Sequence, residues 1–122
     1  MARTAVAYSE LVANSNLADP AGTALDATND HVINAAEPER TVLRVTNTNG
    51  SDRVVTIVAG DNPPALAAGL GNKDVTVAAT SGVQWIGPFE SGRYIQSDGT
   101  MLIDVAASMT GTITAFKLPR TV

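Results

Sequence analysis

The stretch Thr41-Val42-Leu43-Arg44-Val45-Thr46-Asn47 decides the fold class, because apolar and polar side chains alternate along it. Successive side chains of a β-strand point to opposite faces, so Leu43 and Val45 share one face while Arg44 and Thr46 share the other. This alternation predicts a strand with one buried and one exposed face. No stretch of the chain shows a sustained helical period.

Six further β-prone runs follow this strand, separated by turn residues, at 53–59, 74–79, 83–89, 93–97, 101–106 and 111–117. Short strands with frequent turn signals are typical of sandwiches and barrels. The sequence therefore predicts an all-β fold: a single antiparallel β-sandwich, jelly-roll or immunoglobulin-like, of about seven or eight strands of ordinary length. Turn signals identify only neighbouring strands, so the strand order stays open.

Two dipeptides predict tight reversals. Asn49-Gly50 tolerates positive φ angles and predicts a hairpin between the strand at 41–47 and the run at 53–59. Asp98-Gly99 is the strongest hairpin signal and predicts that 93–97 pairs with 101–106.

Two proline-containing stretches predict interruptions. Proline has no N–H for a sheet ladder, so Asp61-Asn62-Pro63-Pro64 predicts a long connection, with a helical turn or an open loop at 65–71. Gly87-Pro88 predicts an edge position or a bulge.

Residues 1–31 differ from the rest, because small and polar residues dominate and the apolar ones follow no period. We predict an N-terminal arm over 1–31 that orders only against a partner, followed by the sandwich domain over 32–122. The candidates for partner contact in the arm are Val6, Tyr8, Leu11, Val12 and Leu17.

The core is expected to be a thin aliphatic layer, since most of the 44% hydrophobic content is Ala and Val, with one Trp, two Tyr and two Phe. Trp85 is predicted to be its centre. The candidate core residues are Leu43, Val45, Val55, Ile57, Val77, Trp85, Phe89, Ile103, Val105 and Ile113.

Several apolar residues fall on strand faces that should be wet, namely Val54, Val58, Ile86 and Leu102. Such faces favour burial in a homo-oligomer or on a larger assembly. The alternative is that the chain's own N-terminal segment covers them.

Composition argues against several functions. The formal charge is −4 and the eight Lys and Arg residues are scattered, which disfavours nucleic-acid binding. Without cysteine there is no disulfide, zinc-thiolate site or thiol nucleophile. No apolar run has the length of a leader or of a membrane span, so we expect a soluble protein made in the cytoplasm, with no membrane partner.

No residue pattern predicts an enzyme. His31 is the only histidine, and we expect it at a surface or turn, with no Gly-x-Ser-x-Gly elbow to make a nucleophile. Asp98 and Asp104 are close in sequence, but a turn role for the first and an outward position for the second explain both.

Neither a metal nor a cofactor is predicted. The stretches 26–30 and Asp61-Asn62 are rich in oxygen ligands but lack the spacing and closing glutamate of a calcium loop. Gly69-Leu70-Gly71-Asn72-Lys73 lacks the ending of a phosphate loop, so a turn is expected there.

The C-terminal half carries a family resemblance. The stretches that carry it are Gly60–Pro64, Asp74–Ala79, Gly82-Val83-Gln84-Trp85-Ile86-Gly87-Pro88-Phe89-Glu90, Arg93-Tyr94-Ile95-Gln96-Ser97-Asp98-Gly99 and Gly111–Pro119. Over about residues 40 to 120, the chain resembles small structural proteins of tailed bacteriophages that infect actinobacteria and related hosts. The resemblance implies a capsid decoration (cement) protein on the exterior of the virion. Its implied partners are the major capsid protein and further copies of itself, commonly as a homotrimer.

Two alternatives remain at this point. Head–tail connectors and spike or fibre components of the virion also use small sandwiches, and copy number separates them from a decoration protein. A carbohydrate-binding module belongs to another class, and it would need exposed aromatic residues, of which few are expected here.

Overall fold

The computed structural model describes residues 2–61 and 71–119. These residues form ten β-strands, one 3-10 turn at Pro38–Arg40 and one short helix, α1. The strands are β1 (Thr4–Ala5), β2 (Tyr8–Glu10), β3 (Thr23–Ala24), β4 (His31–Ile33), β5 (Thr41–Asn47), β6 (Arg53–Ile57), β7 (Lys73–Val77), β8 (Gly82–Ile86), β9 (Met101–Val105) and β10 (Thr112–Lys117), and α1 is Ser91–Tyr94.

The strands make two sheets, which confirms the predicted all-β sandwich. The first sheet has the order β1-β4-β9-β6-β7, and the second has the order β2-β10-β5-β8, with β3 also pairing with β10. Most pairs are antiparallel, but β1 runs parallel to β4 and β2 runs parallel to β10. The chain therefore switches repeatedly between two mixed sheets.

Both predicted hairpins need correction. The strand at 41–47 has the expected bounds, but it pairs with β8 and β10, whereas β6 lies in the other sheet. The Asn49-Gly50 loop therefore crosses from the second sheet to the first. The hairpin prediction was wrong because a turn signal does not specify which sheet contains the next strand. At Asp98-Gly99 the turn is present, with the Gly99 N–H bonded to the Gln96 carbonyl, but α1 occupies the start of the predicted strand at 93–97.

The N-terminal segment, predicted to be a separate arm, contributes strands to both sheets of the sandwich. β1 pairs with β4 in the first sheet, while β2 and β3 pair with β10 in the second. Strands β1, β2 and β3 are only two or three residues long, which is too short to show an alternating pattern in the sequence. The partner of β2 and β3 is β10, which lies far away in the sequence.

The core lies between the two sheets, and nine of the ten candidate core residues are buried there: Leu43, Val45, Val55, Ile57, Val77, Phe89, Ile103, Val105 and Ile113. Ile86, expected on a wet face, is also buried.

Trp85 contradicts the prediction, since 61% of it is exposed. The pairing of Leu43 with Ile86 turns Ile86 inward, so the neighbouring Trp85, which pairs with Arg44, faces out. Residue type suggested a core position, but the register of β8 against β5 places the ring outside.

Gly87-Pro88 directly follows β8, which is an edge strand as predicted. The predicted connection at 61–71 lies outside the described residues except for its two ends, Asp61 and Gly71.

Candidate docking surface

The outer face of the second sheet carries an exposed aromatic group. The Trp85 ring stacks on the Phe116 ring, with centroids 5.4 Å apart and planes inclined by 22°. The Arg44 guanidinium lies 5.7 Å from the Trp85 centroid and 5.6 Å from the Phe116 centroid. Phe116 is buried beneath this arrangement, whereas Trp85 and its strand neighbour Val83 remain open. These four residues, Arg44, Val83, Trp85 and Phe116, are called the Trp85 patch.

Cross-strand register brings the patch together. In β10, Phe116 lies next to Val42 of β5, while Arg44 lies between Thr114 of β10 and Trp85 of β8. Side chains at paired and diagonal positions on one face of a sheet are within reach of each other. Three strands that are distant in the sequence therefore build one surface, which the sequence alone could not reveal without the strand order.

Arg44 is held in place from the side of the N-terminal segment. Its guanidinium makes an ion pair with Asp19 and donates a hydrogen bond of 2.9 Å to the Pro20 carbonyl. Gly22 approaches the same face, since a Cβ there would lie 2.6 Å from Oγ1 of Thr114. The segment between β2 and β3 therefore covers part of the outer face and fixes Arg44 beneath Trp85.

The five predicted contact residues of the arm have different positions. Val6 is buried in the core, and the Tyr8 hydroxyl lies 2.7 Å from Oγ1 of Thr41 and accepts a bond from the Glu37 N–H. Val6 is therefore part of the core, whereas Tyr8 is only partly buried. Leu11 is half-buried, while Val12 and Leu17 are exposed.

His31 is buried in β4, which corrects the expected surface or turn position. Its Nε2 accepts a 3.0 Å hydrogen bond from the Asp26 N–H, and its Nδ1 lies 3.2 Å from the Thr4 carbonyl. This network fits a neutral ring that donates from Nδ1. Burial lowers the pKa of His31 from its ordinary value of 6.5. The ring thus joins β1 to the loop before β4.

The carboxylates of the first oxygen-rich stretch are engaged within the fold. Asp26 accepts bonds from the Thr4 hydroxyl and from the N–H groups of Thr28 and Asn29, and these bonds lower its pKa to about 2. Asp30 accepts from the Val105 N–H. This stretch acts as a connector between β4, β9 and the N-terminus.

The other predicted sites are also placed. Asp61 accepts from the N–H and hydroxyl of Ser97, and Asn62 lies outside the described residues, as do Gly69 and Leu70 of the glycine-rich stretch. Asp98 accepts from Thr100 within its turn, and Asp104 makes a 2.6 Å ion pair with Arg3. Within 2–61 and 71–119, no three His, Cys, Asp or Glu side chains are grouped as a metal site would require.

A hollow of about 340 Å³ lies beside the 3-10 turn and is lined by Ala36, Glu37, Pro38, Glu39, Arg40, Ser91 and Ile95. Glu37 in its wall binds Lys117 at 2.5 Å and Arg40 at 2.6 Å. These bonds, from Lys117 first and then Arg40, lower the pKa of Glu37 to about 2. Glu37, Arg40 and Lys117 thus form an ion-paired cluster at the end of β10, which is called the Glu37 clasp.

No helix within the described part of the chain is long and apolar enough to cross a bilayer. Comparison of the chain with protein-family models, with curated proteins and with solved structures gives no match.

Proposed function

We propose that this chain is a non-enzymatic structural protein of a tailed bacteriophage particle, specifically a capsid decoration protein. It binds the lattice of the major capsid protein on the exterior of the virion and stabilises the head. The resemblance of residues 40 to 120 to small structural proteins of tailed bacteriophages supports the phage origin. The Trp85 patch supports a docking role.

The observation that carries the docking role is the exposure of Trp85 on a rigid support. Trp and Arg are the residues most enriched among those that dominate protein–protein binding energy. Stacking on Phe116 and the cation–π contact with Arg44 hold the indole in place before a partner arrives. A pre-ordered aromatic side chain loses little conformational entropy on binding, so it suits a permanent contact with a shell.

The first test uses capsid shells assembled without this subunit. We expect purified protein to bind them saturably and to raise the temperature at which they break open. Trp85→Ala should weaken binding by about 2 kcal/mol, which is roughly thirtyfold. Absence of any binding by the wild-type protein would overturn the proposal.

A matched pair of valines locates the contact. Val83 belongs to the Trp85 patch, whereas Val54 lies on the outer face of the first sheet and is comparably exposed, at 37% against 47%. Val83→Asp should abolish binding to the shells, while Val54→Asp should leave it unchanged. Circular dichroism of both variants verifies that the sandwich is intact. Equal effects of the two substitutions on binding to the shells would show that the Trp85 patch is not the contact surface.

Carbohydrate binding is a second candidate, and the exposed indole of Trp85 is the observation that favours it. The open face of the ring offers an apolar platform, and the Arg44 guanidinium provides a polar group nearby. Trp85 is the only tryptophan, so its fluorescence reports directly on the site. A blue shift on addition of a soluble bacterial polysaccharide, without binding to shells, would favour this function over the first.

A further inference from the structure

Strand β8 is an unprotected sheet edge. The described ends of the two sheets are β1 and β7 in the first, and β8 and the β2 and β3 pair in the second. β1, β2 and β3 are only two or three residues long, and β7 begins with Lys73 and Asp74. Shortness and charge are the usual means by which proteins protect edges from further pairing. β8 has five residues, Gly82-Val83-Gln84-Trp85-Ile86, and no charge.

The unprotected edge is also accessible. β5 is the only strand paired with β8 among the described residues, so the opposite side of β8 presents free backbone positions. Val83, Gln84 and Trp85 are all exposed. A strand with these properties is a template for another extended chain.

We propose that the occupant of this edge is a second copy of the chain, whose β8 pairs antiparallel with the first about a twofold axis at Gln84. Among twofold registers, this one keeps all five residues of β8 paired, because Gln84 is the middle residue. It sets Gln84 opposite the second copy's Gln84, and Trp85 opposite the second copy's Val83.

The strand is complementary to itself in this register. An aromatic ring opposite a β-branched side chain is a favourable cross-strand pair, and the twofold axis makes that pair twice. No like charges meet along the contact, since β8 carries none, although each copy has a formal charge of −4. A twofold contact of this kind closes on itself and gives a dimer.

Pairing through the edge leaves the outer face of the second sheet open. It joins two Trp85 patches into one continuous surface across the axis. The inference therefore goes beyond the proposed function but remains compatible with it: a dimer would dock through two patches at once, which strengthens attachment without new contacts.

Cysteine cross-linking tests the register, because the chain has no cysteine of its own. Directly opposed residues of antiparallel strands have Cα atoms about 4.5–5.5 Å apart, within the range of a disulfide. Gln84→Cys should therefore form a covalent dimer under mild oxidation. Thr76→Cys, at an exposed position of the charged edge β7, is the matched control. Equal rates of cross-linking at the two positions would overturn the proposal.

Sedimentation equilibrium of the wild-type chain tests the oligomeric state itself. We expect a dimer that Gln84→Lys weakens by about tenfold or more, because two ammonium groups would meet at the axis. Thr76→Lys should leave the dimer unchanged. A monomer at every concentration, or the trimer that the family resemblance implies, would overturn the twofold contact.

The two proposals fail separately. A monomeric chain that still binds shells would refute only the pairing of β8. A dimer that binds no shell would refute only the decoration function.

Discussion

The backbone N–H of Asp26 donates a 3.0 Å hydrogen bond to Nε2 of His31, so this buried ring must be unprotonated at that nitrogen. On the other side of the ring, Nδ1 lies 3.2 Å from the Thr4 carbonyl and holds β1. A proton on Nε2 would make this nitrogen a donor that faces the Asp26 N–H, and the hydrogen bond to the loop before β4 would be lost. The charged groups around the ring are Asp26, Asp30 and Arg3.

Acid should therefore destabilise the fold through His31. Burial is the main cause of its lowered pKa, so the unfolded chain binds the proton more readily than the folded one. The stabilisation is complete above the ordinary pKa of 6.5 and is lost as the pH falls below it. Denaturant unfolding at a series of pH values measures this loss. His31→Gln should reduce the pH dependence just below 6.5, and an unchanged profile would contradict the assignment.

The Glu37 clasp predicts a second acid transition at lower pH. Lys117 and Arg40 hold the pKa of Glu37 at about 2, so its contribution is present above its ordinary value of 4.5 and is lost as the pH falls toward 2. Glu37→Gln should lower the Tm at neutral pH, and this difference should shrink near pH 2 and in high salt. Glu39→Gln is the matched control, since Glu39 accepts a bond from the Ser91 hydroxyl. A larger effect at Glu39 would contradict the prediction.

Gly111 predicts a strong backbone constraint at the start of β10. Its φ is 133°, and a Cβ would lie 2.1 Å from the Thr46 carbonyl oxygen of the adjacent strand. Gly111→Ala should destabilise the protein by about 2 kcal/mol or more, because both the dihedral angle and the contact are unfavourable. Gly50→Ala is the control, since nothing lies within 4 Å of a Cβ there. Equal unfolding midpoints for the two variants would be inconsistent with this close approach.

The exposure of Trp85 predicts a small contribution to stability. Trp85→Ala removes one stacking contact with Phe116 and should cost about 0.5–1.5 kcal/mol. Ile113→Ala, at a fully buried position of β10, should cost about 2–5 kcal/mol. Thermal unfolding of the two variants distinguishes a surface platform from a core residue. A loss of stability in Trp85→Ala as large as that in Ile113→Ala would indicate that the ring is buried in the core.

The elements that could be predicted from the sequence are those with a clear local pattern. The alternation at Thr41–Asn47 predicted the bounds of β5 and its two buried residues, Leu43 and Val45. The apolar residues of the other predicted strands supplied most of the remaining buried core candidates. Trp85 was misplaced because alternation alone does not show which face of β8 is buried, and the size of the ring suggested the wrong face; the register with Leu43 turns Ile86 inward. The turn at Asp98-Gly99 was correct, but the strand before it was wrong, because α1 begins at Ser91.

The candidate surface depended on information that local patterns do not contain. Arg44, Trp85 and Phe116 meet only because β5 lies between β8 and β10. Turn signals identify neighbours in sequence, whereas this order arises from crossings between the sheets. The alternation of β10 did provide one signal for the surface. Phe116 falls on the same face as Thr112 and Thr114, which indicates an aromatic ring on the outer face of the sheet.

The position of β10 has a consequence for the synthesis of the chain. β10 lies inside the second sheet, with β5 on one side and both β2 and β3 on the other. A nascent chain that ended before Thr112 would leave Tyr8–Glu10 and Thr23–Ala24 with no strand to join, and β5 with an open edge. The second sheet therefore cannot be completed until residues 112–117 leave the ribosome, and until then β2, β3 and one edge of β5 are open to proteases and to pairing with other nascent chains.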